Sequence, residues 1–348
     1  GEGFEVKAKQ IISAAGPWVD ELREKNNSKQ GKRLHLTKGV HIVLPHDKLP
    51  VEHSVYFDIP DGRMLFAIPR GEITYLGTTD TNYTGEKENP RTNLEDVQYL
   101  INGANSIFPN IDLKVEDVIS SWAGLRPLIH EDGKSASELS RKDEIFISES
   151  RLISIAGGKL TGYRKMAERA VDVAAKYLKE KGVDNIKGSH TEKIVLAGGE
   201  FDGNSANVHS YLKEVEDKLA SLKVKASTAN YLVHNYGRQT DEILADFFEQ
   251  ENLNDLGIAK AELRFGLEKE MIQRAQDFFT RRTGRLYFDI DSIRSMADDL
   301  LDLMKEELNW DNERREEEKK DLEQAVEEAS TFPPGNNEIN PELAKIHA

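Results

Sequence analysis

In the first half of the chain apolar positions recur in short runs and alternations broken by Gly, Pro and Asp. In the second half they recur every three to four residues. The stretch "FEVKAKQIISAA" (4–15) gives two short β segments that run into "GPW", a helix-breaking turn. Strands follow in "RLHLTKGVHIVLP", "SVYFDI", "RMLFAIPR" and "EITYLGTTD". One helix interrupts them: Asn93 is its N-cap, Asp96 stands three residues on, and Leu94, Val97, Leu100, Ile101 and Ala104 form its stripe. "VEDVISSWAGLRPLI" and "EIFISES" return to strand, and "SIAGGKLTGYRKMAERAVD" (154–172) reads as strand, glycine pair and helix. Tyr163, Met166, Ala167, Ala170, Val171, Ala174, Tyr177 and Leu178 lie at helical spacing on that last segment.

Composition shifts near residue 190. Beyond it, amphipathic helices are expected near 205–221, 226–236, 240–251, 266–282 and 291–308. "RREEEKKDLEQAVEEAS" reads as a solvated helix and 331–348 as a frayed tail. No internal repeat stands out.

The 348 residues suffice for about two domains. Residues 1–10 carry neither a basic nor an apolar signal region, so no signal peptide is expected. Apolar runs are far shorter than the roughly 18 residues of a membrane span. There is no cysteine, which excludes disulfides, thiolate nucleophiles and cysteine-ligated metal centres, and no metal site is expected. The formal net charge of −15 argues against nucleic acid as a partner.

Candidate chemistry gathers at strand ends. His41 stands in "TKGVHIVLP", Thr78 and Thr79 in "LGTTD", Arg141 in "LSRKDEI", and Lys159 after the glycine pair 157–158. Each fits a structural role as well: a strand histidine, strand-end threonines, a surface ion pair, a tight turn. Arg126 is harder to place so. It lies between Gly124 and Pro127 in an apolar strand, on one face with Trp122, and must find a partner or face a cavity. Gly157, Gly158 and Lys159 precede a helix N-terminus, where backbone N–H groups and the helix dipole favour negative charge. Spacing alone supports a site for an anionic ligand.

Six ordered motifs, "AAGPWVDEL", "KGVHIVLP", "LGTTDTNY", "WAGLRPL", "SRKDEI" and "GGKLTGYRKMAE", together resemble the FAD-dependent glycerol-3-phosphate dehydrogenases and alpha-glycerophosphate oxidases of Gram-positive type. "NYG" (235–237) and "DFFTRRTGR" (277–285) resemble the C-terminal domain of the same family. The resemblance implies an α/β (α+β) flavoprotein fold: a glutathione-reductase-like FAD domain, a mixed β-sheet substrate domain and a C-terminal all-helical domain. The expected division is 1–23 with 150–182 for the FAD domain, 24–149 for the substrate sheet and 190–330 for the helices. The implied activity is oxidation of sn-glycerol 3-phosphate to dihydroxyacetone phosphate, with FAD as cofactor and quinone or O₂ as electron acceptor.

By motif, His41, Thr78, Arg126, Arg141 and Lys159 match substrate-site positions, with His41 and Arg126 in catalytic roles. Gly16, Pro17 and Trp18 match the turn near the flavin, and Gly157, Gly158, Leu160 and Thr161 the turn that meets the isoalloxazine ring. The backbone amides of Leu160 and Thr161 would face the charge that develops on reduced flavin. The family's G-x-G-x-x-G fingerprint is absent, so the chain reads as the last three-fifths of such an enzyme. Ile11, Ile12, Ile153 and Ile155 are then expected to lack part of their cover. A homodimer in the cytoplasm, with peripheral membrane contact in the quinone case, is also expected. Two rival readings are an amine or amino-acid oxidase of the same superfamily and a helical interaction module without catalysis.

Overall fold

The computed structural model describes residues 3–131, 142–201 and 205–335. Along the chain run β1 (Ile12–Ser13), α1 (Val19–Lys25), β2 (Lys32–Pro45), β3 (Val55–Asp58), β4 (Met64–Arg70), β5 (Ile73–Gly77), β6 (Thr81–Asn82), α2 (Leu94–Ile107), β7 (Ser120–Glu131), β8 (Glu144–Ile147), β9 (Ile153–Ala156) and α3 (Tyr163–Glu180). Helices follow: α4 (Ser205–Leu219), α5 (Thr228–Tyr236), α6 (Thr240–Glu249), α7 (Asp255–Lys269), α8 (Arg285–Phe288), α9 (Ile290–Leu308) and α10 (Asn312–Ser330). The chain divides into two compact units, 1–39 with 80–90 and 123–194, and 40–79 with 91–122 and 195–348.

The first unit holds a three-stranded sheet in the order β1-β9-β8, with β1 parallel and β8 antiparallel to β9. The middle strand is buried along its whole length, so Ile153 (0% exposed) and Ile155 (8%) are covered, contrary to expectation. Neighbours on both sides and α3 and α1 against it supply that cover. Ile11 (60%) and Ile12 (37%) are exposed as expected, because β1 is an edge strand. Phe4 to Lys9 form no strand, so the first of the two expected β segments is missing. Helix α1 was not expected: Gly16–Trp18 make a 3-10 turn, with Pro near its start, that feeds a helix instead of ending structure. On α3 only Ala170 and Ala174 are buried; Val171 on the expected apolar stripe is exposed.

In the second unit, β3, β4, β5 and the end of β2 pair antiparallel in that order. Val40, Ile42, Leu44, Leu65, Ala67 and Leu76 are buried there. Helix α2 has the expected cap: Asn93 accepts from the Asp96 N–H at 2.9 Å, and Asp96 from the Asn93 N–H at 3.1 Å. Thr331–Gly335, expected to fray, is tied to this helix start, with the Leu94 N–H donating to the Pro333 carbonyl at 3.0 Å. The first N–H groups of a helix lack intrahelical acceptors, and here the chain end supplies one.

Two apolar clusters organise the helices, one from α4–α7 around Leu232, Ile243 and Phe247, the other from α7–α10 around Phe278, Phe279, Leu300 and Met304. The expected single helix at 266–282 is broken. Met271 takes a left-handed backbone, and Asp277 accepts the N–H groups of Gln273 and Arg274, closing a new start before a π-helical turn at 277–282. Helix α10 is less solvated than its charge run implies. It buries Leu322 and Ala329, and its buried Glu318 carboxylate accepts from the Ala275 N–H at 2.8 Å and from Arg274 at 3.1 Å.

Glu262 of α7 is buried and accepts from three donors: Tyr231, Tyr236 at 2.7 Å and Arg285 at 2.6 Å. Burial, and the carboxylate beside them, push both phenols far above the ordinary tyrosine range, so they remain donors. Glu262→Ala would strand a buried guanidinium. The expected loss is about 3–5 kcal/mol of stability, read as a fall in the urea midpoint at unchanged slope, against about 1 kcal/mol for Asn93→Ala at the α2 cap.

Candidate active site

The parallel pairing of β1 with β9 (Ile12 opposite Ile153, Ser13 opposite Ser154) ends both strands at one edge of the sheet in the first unit. Each strand then enters a glycine turn, at Gly16 and at Gly157–Gly158. In α/β sheets this carboxyl edge of parallel strands is where ligands bind. Gly157 (φ 74°) and Gly158 (φ 84°) are left-handed, and a β-carbon would meet the Lys142 carbonyl oxygen at 2.6 Å in the one case and the Met166 sulfur at 2.6 Å in the other. Only glycine fits both. Lys159 then leads into a 3-10 turn, Leu160–Gly162, that runs on into α3. Gly162 donates to the Lys159 carbonyl at 2.9 Å and Tyr163 to that of Leu160, so the N–H groups of Leu160 and Thr161 open the turn with no helical carbonyl before them. Leu160 is 89% exposed, and Lys159 and Thr161 are exposed as well.

Gly16 is also left-handed (φ 51°), with open space where its β-carbon would stand. Pro17 and Trp18 complete the turn, and the Trp18 indole N–H donates to Glu88 at 2.9 Å, holding that carboxyl below its usual range. The structure therefore brings Gly16–Trp18 and Gly157–Thr161 to one sheet edge.

Arg126 finds its partner in the same unit. Its guanidinium lies 3.5 Å from the Asp80 carboxylate and occupies the place where a β-carbon of residue 39 would stand. The side chain is half-buried, so the ion pair is partly screened. Arg141 lies outside the described residues.

His41 and Thr78 belong to the second unit. His41 on β2 is opposite Gly77 on β5, and Gly77 is opposite Phe66 on β4. With no side chain at Gly77, the imidazole lies over its Cα and reaches Phe66, ring centroids 5.4 Å apart. On its other side it stacks on Trp122 at 4.7 Å, planes 13° from parallel. Thr78 donates its hydroxyl to the Thr79 carbonyl at 3.1 Å. Thr79 is fully enclosed and accepts the Val40 N–H at 2.9 Å, which fixes β2 one residue before His41.

Gly77, Phe66 and Asp80 were not among the expected site residues, and Trp122 was noted only for its strand face. A glycine inside an otherwise apolar strand was the available signal, since it marks close approach of another group. Asp80 follows "GTT" with nothing in the pattern to link it to Arg126.

Residues 1–164 match the family described as FAD dependent oxidoreductase, and 189–315 match the C-terminal domain of alpha-glycerophosphate oxidase. The aerobic glycerol-3-phosphate dehydrogenase of Bacillus subtilis is 44% identical over 94% of the chain and 59% of its own length. That of Staphylococcus haemolyticus is 41% identical over 97% and 61%. The crystal structure of the glycerol-3-phosphate dehydrogenase from Bacillus halodurans complexed with FAD superposes with a TM-score of 0.81 at 43% identity, covering 94% of this chain and 63% of that one. The chain thus spans about three-fifths of the length of the relatives it matches. In sequence and fold together, the chain is similar to the FAD-dependent glycerol-3-phosphate dehydrogenases and alpha-glycerophosphate oxidases.

Proposed function

We propose that the chain forms the substrate-binding part and one edge of the flavin site of an enzyme that oxidises sn-glycerol 3-phosphate to dihydroxyacetone phosphate. The observation that carries the reading is the pair of glycine turns at the carboxyl edge of β1 and β9 in a chain similar to this family. These residues fit FAD. Gly16 leaves open space at its turn, and Leu160 and Thr161 offer two N–H groups at an exposed helix entry that favours negative charge. FAD, when bound, accepts the hydride from C2 of the substrate. The Leu160 and Thr161 amides, fixed by the turn, would offer donors to negative charge on the bound cofactor without reorganising.

Substrate binding falls to the cations. A phosphate dianion is matched by Arg126, Arg141 and Lys159, arginine giving a bidentate fork and lysine a point charge. Asp80 keeps the Arg126 guanidinium in place. Loss of a hydride from C2 must be accompanied by loss of the hydroxyl proton, and a histidine is the side chain that exchanges a proton near neutral pH. His41 takes this role, with Thr78 beside it on the neighbouring strand end.

The wider reading has residues 1–23 and 150–182 in the FAD domain, 24–149 as the substrate sheet and 190–330 as a helical domain. The exposed Phe4, Val6, Ile11 and Ile12 support a further FAD-domain stretch of the same protein that covers them. Electrons pass on to a quinone or to O₂ in a cytoplasmic homodimer, which touches the membrane surface in the quinone case. Among the described residues no helix is long and apolar enough to cross a membrane.

The deciding measurement is turnover by the holoenzyme that contains this chain. Glycerol 3-phosphate is expected to reduce the flavin, and preferential turnover of glycine or sarcosine would replace this reading with an amine oxidase. Arg126→Ala is expected to lower kcat/KM for glycerol 3-phosphate by on the order of 2–4 kcal/mol, and Arg126→Lys not to restore it. A fall of less than about tenfold, roughly 1.4 kcal/mol, would make Arg126 structural. His41→Ala is expected to slow flavin reduction in single-turnover absorbance more than it weakens substrate binding. An unchanged pH profile of reduction in that variant would assign proton removal to another group.

A further inference from the structure

The His41 ring is the end of an aromatic chain that begins in the helical region of the same unit. Trp122, on which His41 stacks, meets Tyr287 at 5.4 Å and the edge of Phe288 at 5.5 Å, both residues of α8. Phe288 also packs on Tyr75 at 6.0 Å and lies under the Arg70 guanidinium at 4.3 Å. Tyr75 closes the group against Trp122 at 5.7 Å and Phe66 at 6.3 Å. The Ser120 hydroxyl donates to the Tyr287 carbonyl at 2.6 Å, fastening α8 to β7 two residues before Trp122.

The arrangement is directional. α8 has only four residues and is entered through a left-handed Gly284. Its sheet-side contacts converge on Trp122, Tyr75 and Arg70. A core that merely filled space would not require the indole to stand nearly parallel to the imidazole. Two flat rings in offset contact restrict each other's tilt, and a proton acceptor acts only within a narrow range of position and angle.

We infer that α8 is a positioning element for His41: Tyr287 and Phe288 clamp the Trp122 indole, and the indole sets the plane of the imidazole. The inference rests on the reading of His41 as the base. Tyr287 and Phe288 act through Trp122 and are positioning residues.

The test uses the holoenzyme containing this chain and the half-buried Phe288, where leucine retains apolar bulk without an aromatic edge. Phe288→Leu is expected to lower the limiting rate of flavin reduction about fivefold or more, with the substrate dissociation constant changed by less than about twofold, and Phe288→Tyr to restore the rate. In a His41→Ala background Phe288→Leu should have no further effect. Independently of turnover, the His41 Cε1–H resonance of 13C-histidine-labelled protein, identified by its loss in His41→Ala, should lie upfield from ring current and move downfield in Phe288→Leu. An unmoved resonance, or rate losses that multiply in the double variant, would overturn the inference. A His41→Ala variant with the wild-type reduction rate would instead overturn the base assignment, and the resonance would still decide whether α8 orients the ring.

Discussion

A β-carbon on residue 77 would enter the His41 ring, and the seat of that ring follows from its absence. Opposed residues of antiparallel strands stand about 4.5–5.5 Å apart, so a side chain at the centre of a three-strand row normally separates its two neighbours. At Gly77 the row Phe66–Gly77–His41 has an empty centre, and the imidazole folds into it. Aromatic faces then hold the ring on both sides. Packing of this kind fixes a ring plane while leaving the ring nitrogens to other partners.

The same economy appears in the first unit, with backbone in place of rings. Two parallel strands end together, and each turn that follows uses a left-handed glycine. One turn leads into a helix whose opening amides stand at the exposed entry. These donors are positioned by hydrogen bonds of the turn itself, from Gly162 to Lys159 and from Tyr163 to Leu160. Side-chain identity at Leu160 and Thr161 is therefore secondary to where their N–H groups point.

Strands, caps and glycine turns were legible because each is a local rule. The alternation that marks β2, β4 and β5, the Asn93–Asp96 box and the "GG" before α3 are decided within a few residues of chain. What escaped was decided at a distance. Ile153 and Ile155 are covered because β8 returns beside β9, which no periodicity within either strand reveals. Met271 breaks a helical stripe without Gly or Pro, in a turn that the Asp277 carboxylate stabilises. Glu318 sits in a run of charge that reads as solvated, yet it faces the amide of Ala275. The motifs marked His41 and Arg126 as candidates, but Gly77 and Trp122 meet His41 only through strand pairing, and Asp80 meets Arg126 only through an ion pair across the fold.

Both units expose large apolar side chains, Tyr56, Leu196 and Met271 among them in the second. In the second, large side chains such as Phe247, Phe278 and Leu232 are wholly enclosed by helices of the same unit. In the first, Phe4, Val6, Ile11, Leu160 and Val171 face outward. Enclosing one such side chain fully contributes about 1.5–3 kcal/mol, so five together rival the 5–15 kcal/mol that holds a whole domain folded. Ile11 precedes the edge strand β1, Leu160 stands at the entry to α3 and Val171 on its exposed face. Leu160 is exposed at the same turn whose N–H groups open α3, so apolar cover there would shield those donors from water as well.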